Sequence, residues 1–370
     1  MALSDVTVNV NITSAAGSEG TWFPLILAAG SAVDAACSYK ECYNLNQIVD
    51  VTAGYTDSDT RAERVAKTEK AKNTYLYGAA DKICQQNQPP NRIAIISIGN
   101  KTTFSDMEAA LSPYLDKGWR QLVLVGIVEP EAKLQLAEYI ESLEQRKLLF
   151  LHSNSSETMT ATITMADEKQ KKLTLTDYTR TVAVYHPQAS TNYVNAAVVG
   201  AVAGKIAGSI NYRNMVINGI APVALTAKEL DTLHKNGYFT VVERSGDTVT
   251  STGKSASNKR YLDTLDTEDY VVQQLTIVTQ KALNDNDIVR FNDDGISILE
   301  NAAVSVMTDC CSKGMIAKKA ANTYQYTVDY PSVSQVDAKD LANRAYKIGT
   351  VTFTAQGAVD TVDISVNMEL

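Results

Sequence analysis

Apolar and polar residues alternate at both ends of the chain. Near the amino end every second residue is apolar, at Val6, Val8, Val10 and Ile12. A period of two is typical of a β-strand that buries one face and exposes the other. Residues 1–20 are therefore predicted to form an amino-terminal β-arm. Such a strand has to join a sheet, because an isolated strand is unstable in water.

The carboxyl end shows the same alternation twice. The apolar positions are Val351 and Phe353 before the Gln356-Gly357 turn signal, and Val362, Ile364 and Val366 after it. Two alternating runs around a glycine-containing turn predict a β-hairpin, here a carboxyl-terminal arm over residues 346–370. Each arm can complete a sheet in its own chain or in a neighbouring copy. In the second case the chain would polymerise by strand addition.

Between the arms, residues 21–190 alternate between predicted strands and helices. Buried strands are predicted where apolar runs are continuous, at residues 93–98, 122–128 and 148–151. One helix, with Ser105 as its N-cap, separates the first two strands, and another, with Pro130 in its first turn, precedes the third. This order is typical of a small parallel α/β layer.

Residues 191–345 are predicted to be mostly helical. Three glycines recur at four-residue spacing in a predicted helix over residues 194–210, which gives that helix a smooth face for close packing. Further helices are predicted after Thr226 as N-cap, over residues 267–283 and over residues 296–311, and the polar residues 245–257 are predicted to be an exposed turn or loop. The fold class is thus α/β and α+β: a multidomain chain with a parallel layer, a helical and β carboxyl-terminal domain, and extended arms at both termini.

Composition narrows the class of protein. The chain has 370 residues, of which 45% are hydrophobic and 21% charged, so it can bury a large core. Its net charge of −8 argues against nucleic acid as a partner. The longest apolar stretch near the middle is too short to cross a bilayer, and the start resembles no signal peptide. Five cysteines, an odd and sparse set, indicate folding in a cytoplasm.

Tests for catalytic motifs are negative. The glycines around Lys205 have the wrong spacing for a phosphate-binding loop, and no serine lies in a Gly-x-Ser-x-Gly turn. The cysteine and carboxylate spacings match neither a zinc nor a calcium site. No catalytic residue, metal or cofactor is therefore predicted. The alternative is an α/β enzyme with a small-molecule site at the carboxyl ends of strands 93–98, 122–128 and 148–151, where His152 and, after a further predicted strand, His186 would be the candidate groups.

Three segments are distinctive by their order and placement: the arm at residues 6–12 with the strand at 22–27, the Arg260-Tyr-Leu-Asp263 stretch leading into the helix at 270–283, and the closing hairpin at 348–370. In this arrangement the chain resembles contractile tail sheath proteins of bacteriophages and of phage-tail-like particles such as R-type bacteriocins. The chain departs from these proteins where Asp263, Asp266, Glu268 and Asp269 make the second segment acidic.

The resemblance implies a structural subunit and no enzyme. Such a subunit polymerises in stacked rings around an inner tail tube and contracts to drive the tube through a bacterial envelope, as in genome ejection. Its partners would be copies of itself, the tube protein, and baseplate and tail terminator proteins, without nucleic acid or membrane insertion. It would be assembled in the host bacterial cytoplasm and located in a virion tail or tail-like particle.

The resemblance also assigns roles to segments and residues. Residues 191–345 would be the sheath core domain. The alternating apolar residues of both arms would exchange between subunits, and the tube would contact the helix at 296–311 and its flanks, with the candidates Asp293, Asp294, Glu300 and Lys313.

Overall fold

A seven-stranded, mostly parallel sheet is the centre of the fold. The computed structural model describes residues 22–164, 170–206, 208–320 and 323–358. In chain order the strands are β1 (Phe23–Ala28), β2 (Cys37–Cys42), β3 (Ile93–Ser97), β4 (Trp119–Val125), β5 (Leu148–Ser153), β6 (Thr160–Thr164), β7 (Gln170–Thr174), β8 (Thr181–Tyr185), β9 (Tyr238–Phe239), β10 (Val241–Arg244), β11 (Asp247–Thr250), β12 (Lys318–Ala320), β13 (Thr323–Tyr324), β14 (Tyr326–Asp329) and β15 (Thr350–Phe353). The predicted strands at 93–98, 122–128 and 148–151 correspond to β3, β4 and β5.

Helices cover the sheet and extend beyond it. They are α1 (Leu45–Ala53), α2 (Arg61–Lys72), α3 (Tyr75–Cys84), α4 (Phe104–Leu111), α5 (Pro130–Ser142), α6 (Ala189–Asn192), α7 (Val194–Ala203), α8 (Ala227–Lys235), α9 (Leu262–Asn284), α10 (Asp293–Ser312) and α11 (Ala338–Ala342). None of those in the described ranges combines the length and the apolar character that a bilayer crossing requires.

The strand order across the large sheet is β2-β3-β1-β4-β5-β8-β9. Only the edge strand β2 is antiparallel, and every other pair is parallel. Side chains alternate between the two faces of each strand, so Ile26 and Ala28 face one apolar core while Leu25 and Leu27 face the other. Helices α3 and α7 complete the first core, and α4 and α5 complete the second. The predicted mixed fold with a parallel layer is confirmed.

The long helices α9 and α10 form a separate apolar core with the last strands. Val271 and Leu275 of α9 pack with Met307 and Cys310 of α10, and the hairpin-like pair β14–β15 covers them with Phe353. Within the described residues, β14 and β15 form a two-stranded sheet with each other.

Three local predictions are wrong in whole or in part. The helix α4 begins after Thr103, whose hydroxyl accepts a 3.3 Å hydrogen bond from the Asp106 N–H, so Ser105 is not its N-cap. The helix predicted over 194–210 ends at Ala203, and the next residue, Gly204, lies so close to the Gln88 carbonyl that a Cβ there would collide with it.

The third prediction, an exposed hairpin tip or loop over residues 245–257, is right for the tip of the β10–β11 hairpin and wrong for the residues from 249 onward, most of which are buried. Only the tip at 245–246 is an exposed turn, and Thr250, Ser251 and Ser255 lie inside the protein. Their polarity is compatible with burial because hydroxyl and backbone groups bond each other: the Ser251 Oγ accepts from the Thr240 N–H at 3.1 Å. The strand β9 follows residue 190 and pairs with β8 in the large sheet, and the division of the chain into domains stays a prediction.

Candidate functional site

The first described residue fixes the root of the predicted amino-terminal arm to helix α9. The Trp22 Nε1–H donates a 2.8 Å hydrogen bond to Gln273 Oε1, and its ring meets the Tyr270 ring edge-on at 6.3 Å between centroids. The guanidinium of Arg120 lies 4.2 Å from the centre of the Trp22 ring, a cation–π distance. Trp22 is thus held between the sheet and α9.

A cluster of arginines and carboxylates joins α9 to the sheet beside Trp22. We call it the arginine–carboxylate cluster, and its members are Arg120, Arg146, Arg180, Arg260, Asp266, Glu268 and Asp269. Arg120, Arg146 and Arg180 lie at or just before the amino ends of β4, β5 and β8. The amino ends of parallel strands meet at one edge of a sheet, so the topology brings these three arginines together.

Asp269 is the centre of this cluster. Arg180 binds it in a bidentate manner, with two N–H···O distances of 2.9 Å. Arg146 Nη1 donates to the same carboxylate at 2.9 Å, and Arg120 donates to it as well. The Asp269 side chain is only 2% exposed, so its charge depends on these partners.

The two central carboxylates respond differently to burial. Burial works against the charge of Asp269, but Arg120, Arg180 and Arg146 together hold its pKa below the usual range. For Asp266, burial outweighs the attraction of Arg120 and raises the pKa. Asp266 accepts from Arg120 Nη2 and from the Tyr212 hydroxyl, each at 2.6 Å. The ionised Asp269 is therefore the group on which the cluster depends.

Ala358, the last described residue of the carboxyl-terminal arm, contacts the same helix. The Ala358 N–H donates to Asp263 Oδ2 at 3.4 Å, a long hydrogen bond. Asp263 and Tyr270 are seven residues apart on α9, which corresponds to about 10 Å along the helix axis and to one face. Trp22 and Ala358, the first and last described residues, therefore contact neighbouring positions on α9.

The predicted strand-exchange residues fall into two groups. Val351 and Phe353 belong to β15, which pairs antiparallel with β14 in the same chain and is half-buried against the α9–α10 core. The others, Val6, Val8, Val10, Ile12, Val362, Ile364 and Val366, lie outside the described residues. Exchange between copies stays a prediction for all of them.

The predicted tube contacts do not form one patch. Asp293 and Asp294 begin α10, and the Asp293 carboxylate accepts from the Val333 N–H at 2.9 Å. Glu300 follows on the same helix, whereas Lys313 lies just past its other end, about 30 Å from Asp293. Lys313 is bonded to Asp309 at 2.5 Å and to the Tyr270 hydroxyl at 2.7 Å.

A cleft lies at the carboxyl ends of two of the three strands where the enzyme alternative expects a small-molecule site. It measures about 470 Å³ and lies beyond the carboxyl ends of β4 and β5, with His152 and Lys133 in its wall. Burial and the nearby Lys133 lower the pKa of His152 to about 4, so the ring is neutral at pH 7. The Ser153 hydroxyl donates to the Ser155 carbonyl at 2.9 Å and accepts from the Ser155 N–H at 3.0 Å.

The other two histidines have structural contacts. His186 Nδ1 accepts from the Gln188 N–H at 3.0 Å, and His234 Nε2 lies 2.9 Å from the Ser251 hydroxyl. Within the described ranges no three histidine, cysteine or carboxylate side chains are placed to hold a metal ion.

Comparisons with known proteins identify the fold. The sequence matches no protein-family model, and no curated protein matches it. Among solved structures, it is similar to a chain of the anti-feeding prophage baseplate, with a TM-score of 0.66, 13% identity and coverage of 100% of this chain and 99% of that chain. It is also similar to the helical sheath of the anti-feeding prophage in its contracted state, with a TM-score of 0.65, 13% identity and 98% coverage of both chains.

A sheath tail protein from Listeria innocua gives a TM-score of 0.55 at 9% identity, with 93% of this chain and 96% of that chain covered. The likeness runs over nearly the whole length of each protein. The chain therefore has the fold of contractile tail sheath proteins, which confirms the resemblance found in the sequence.

Proposed function

We propose that this chain is the structural subunit of a contractile tail sheath. Its likeness to a helical sheath in the contracted state, over 98% of both chains, carries this proposal. The subunit polymerises around an inner tail tube and contracts to drive the tube through a bacterial envelope. Its location is a virion tail or a phage-tail-like particle, assembled in the host cytoplasm, and it acts without catalysis.

The open edges of the β14–β15 pair support assembly by strand addition. Within the described residues this sheet has two strands, and a two-stranded sheet gains stability when a third strand joins. An unpaired strand edge offers a row of N–H and C=O groups to an incoming strand. The alternating residues 6–12 and 362–366 have the sequence pattern of such strands, and in this proposal they join sheets of neighbouring copies.

The arginine–carboxylate cluster supports movement of the subunit as one body. Contraction changes the contacts between subunits, so each subunit has to transmit force from its arms to its sheet. Trp22 and Ala358 both contact α9, and α9 is fixed to β4, β5 and β8 through Asp269. The buried charges hold one arrangement of α9 on the sheet, because any other leaves Asp269 without its arginines.

The proposed partners are further copies, the inner tube protein, and baseplate and terminator proteins. The similarity to a baseplate chain supports the baseplate contact. The tube contact is assigned to α10 and its flanks, with Asp293, Asp294 and Glu300 near its start. Charge reversal at Asp293 and Asp294 that leaves tube docking unchanged would refute this assignment.

Electron microscopy of the purified chain tests the proposal. Negative-stain images should show rings or long tubes, which heterologous contacts between copies produce. A small closed oligomer that does not extend would contradict it and favour the enzyme alternative. Deletion of residues 1–15 should leave the far-ultraviolet circular dichroism spectrum native and abolish tubes, since the three apolar cores are formed by residues from Phe23 onward.

A further inference from the structure

A small niche lies beside the root of the amino-terminal arm. It has a volume of about 40 Å³ and opens between the amino ends of β4 and β5 and helix α9. Its charged and aromatic lining consists of Trp22, Lys117, Trp119, Arg120, Arg146, Lys147 and Asp269. A single buried water occupies roughly 10–15 Å³ of such space, so the niche has room for a group of about the size of a carboxylate.

The niche carries an excess of positive charge. Four of the lining side chains are cationic against one carboxylate, Asp269. Outside the lining, Asp266 and Glu268 pair with Arg120 and Arg146, so Lys117 and Lys147 are the cations that a further carboxylate would meet. Lys147 Nζ donates to the carbonyls of Lys117, at 3.0 Å, and of Trp119. Burial, followed by the neighbouring Arg120, lowers the pKa of Lys147 to about 7, so a carboxylate bound beside this amine would favour its charged form.

The carboxyl-terminal segment has the complementary charge. Residues 359–370 contain Asp360, Asp363 and Glu369 and no lysine or arginine. The segment continues from Ala358, whose N–H bonds to the start of α9. Its 12 residues reach about 40 Å when extended, enough to pass from one subunit to the next.

We propose that the niche receives a carboxylate from residues 359–370 of a second copy of this chain. The inference rests on the proposed function, because it takes this segment to be an exchanged arm. Strand pairing alone fixes an arm only by its register, and a one-residue slip reverses its faces. A carboxylate bound between Lys117 and Lys147 sets that register and places the incoming arm next to Trp22, where the host subunit's own amino-terminal arm begins.

Neutralising the segment tests the charge requirement. The triple variant Asp360→Asn, Asp363→Asn, Glu369→Gln should raise the lowest concentration at which tubes form by tenfold or more in 0.1 M salt. The matched control changes three exposed carboxylates elsewhere by the same chemistry, Glu131→Gln, Asp285→Asn and Asp287→Asn, and should assemble as the unmodified chain does. Equal assembly of both variants and the unmodified chain would overturn the inference.

A crosslinking experiment tests whether the segment comes from a second copy. One preparation carries Gln145→Cys in the niche wall and another carries Met368→Cys, so that all carboxylates stay in place. After co-assembly and mild oxidation, a crosslinked pair of chains should appear only in the mixture. The absence of that pair from well-formed tubes of the mixture would overturn the inference but leave the proposed function standing. An unmodified chain that forms no tubes would instead refute the proposed function.

Discussion

Replacing the central carboxylate of the buried cluster should destabilise the protein strongly. Asp269→Asn keeps the shape of the side chain but removes the negative charge that Arg120, Arg146 and Arg180 share. Removing one partner of a buried ion pair costs about 3–5 kcal/mol, because the remaining charges stay buried without compensation. We expect the free energy of unfolding to fall by that amount.

The control is the same substitution in an exposed ion pair. Asp309 pairs with Lys313 one helical turn away, and the two side chains are 48% and 30% exposed, against 2% for Asp269. Surface pairs of this kind contribute about 0.3–0.5 kcal/mol. Asp309→Asn should therefore change the unfolding midpoint little.

Urea unfolding followed by circular dichroism, at a concentration where no tubes form, measures both variants. The pKa of Asp269 is lower in the folded state than in the unfolded state, so its stabilising effect is full above the ordinary aspartate pKa of about 3.9 and is lost as the pH falls below it. The difference between Asp269→Asn and the unmodified chain should shrink in that acidic range. A loss below about 1 kcal/mol at pH 7, or a difference that does not shrink in acid, would refute the reasoning.

Four further substitutions test other parts of the fold by the same unfolding measurement. Gly126→Ala should destabilise the protein by several kcal/mol, since a Cβ there would collide with the Ala29 carbonyl. Gly246→Ala is also at positive φ but in open space, and it should cost only about 1–2 kcal/mol. Equal effects of the two substitutions would contradict this expectation. Thr226→Ala removes the N-cap of α8 and should cost about 1 kcal/mol, and no change would show that this cap is dispensable. The pKa of Lys147 is about 7 in the folded state and about 10.4 in the unfolded state, so the free energy of unfolding should rise by up to about 1.4 kcal/mol per pH unit between pH 7 and 9. Lys147→Met should abolish that rise, and an unchanged slope would contradict the lowered pKa of Lys147.

Continuous apolar runs made the central strands predictable from sequence. β3, β4 and β5 are buried on both faces, which leaves an uninterrupted apolar signal. The edge strand β2 alternates half-buried and exposed residues and contains a charged pair, and β9 has only two residues, so neither gives such a signal. The N-cap at Thr226 was predictable because capping depends on residues within one turn.

The arginine–carboxylate cluster could not be predicted from sequence. Its arginines at 120, 146 and 180 meet carboxylates that lie about 90 to 150 positions later in the chain, at 266 and 269. Only the strand order brings them to one edge. In the sequence, the acidic residues after Arg260 differ from the pattern of sheath proteins. In the structure, Asp266, Glu268 and Asp269 form ion pairs with arginines of the sheet.

A cryo-electron microscopy reconstruction of the assembled chain is the most direct test of strand exchange. If strands are exchanged, we expect a hollow tube in which density for residues 6–12 or 362–366 leaves one subunit and forms main-chain hydrogen bonds with the sheet of another. Density that shows both segments paired only within their own chain would contradict it.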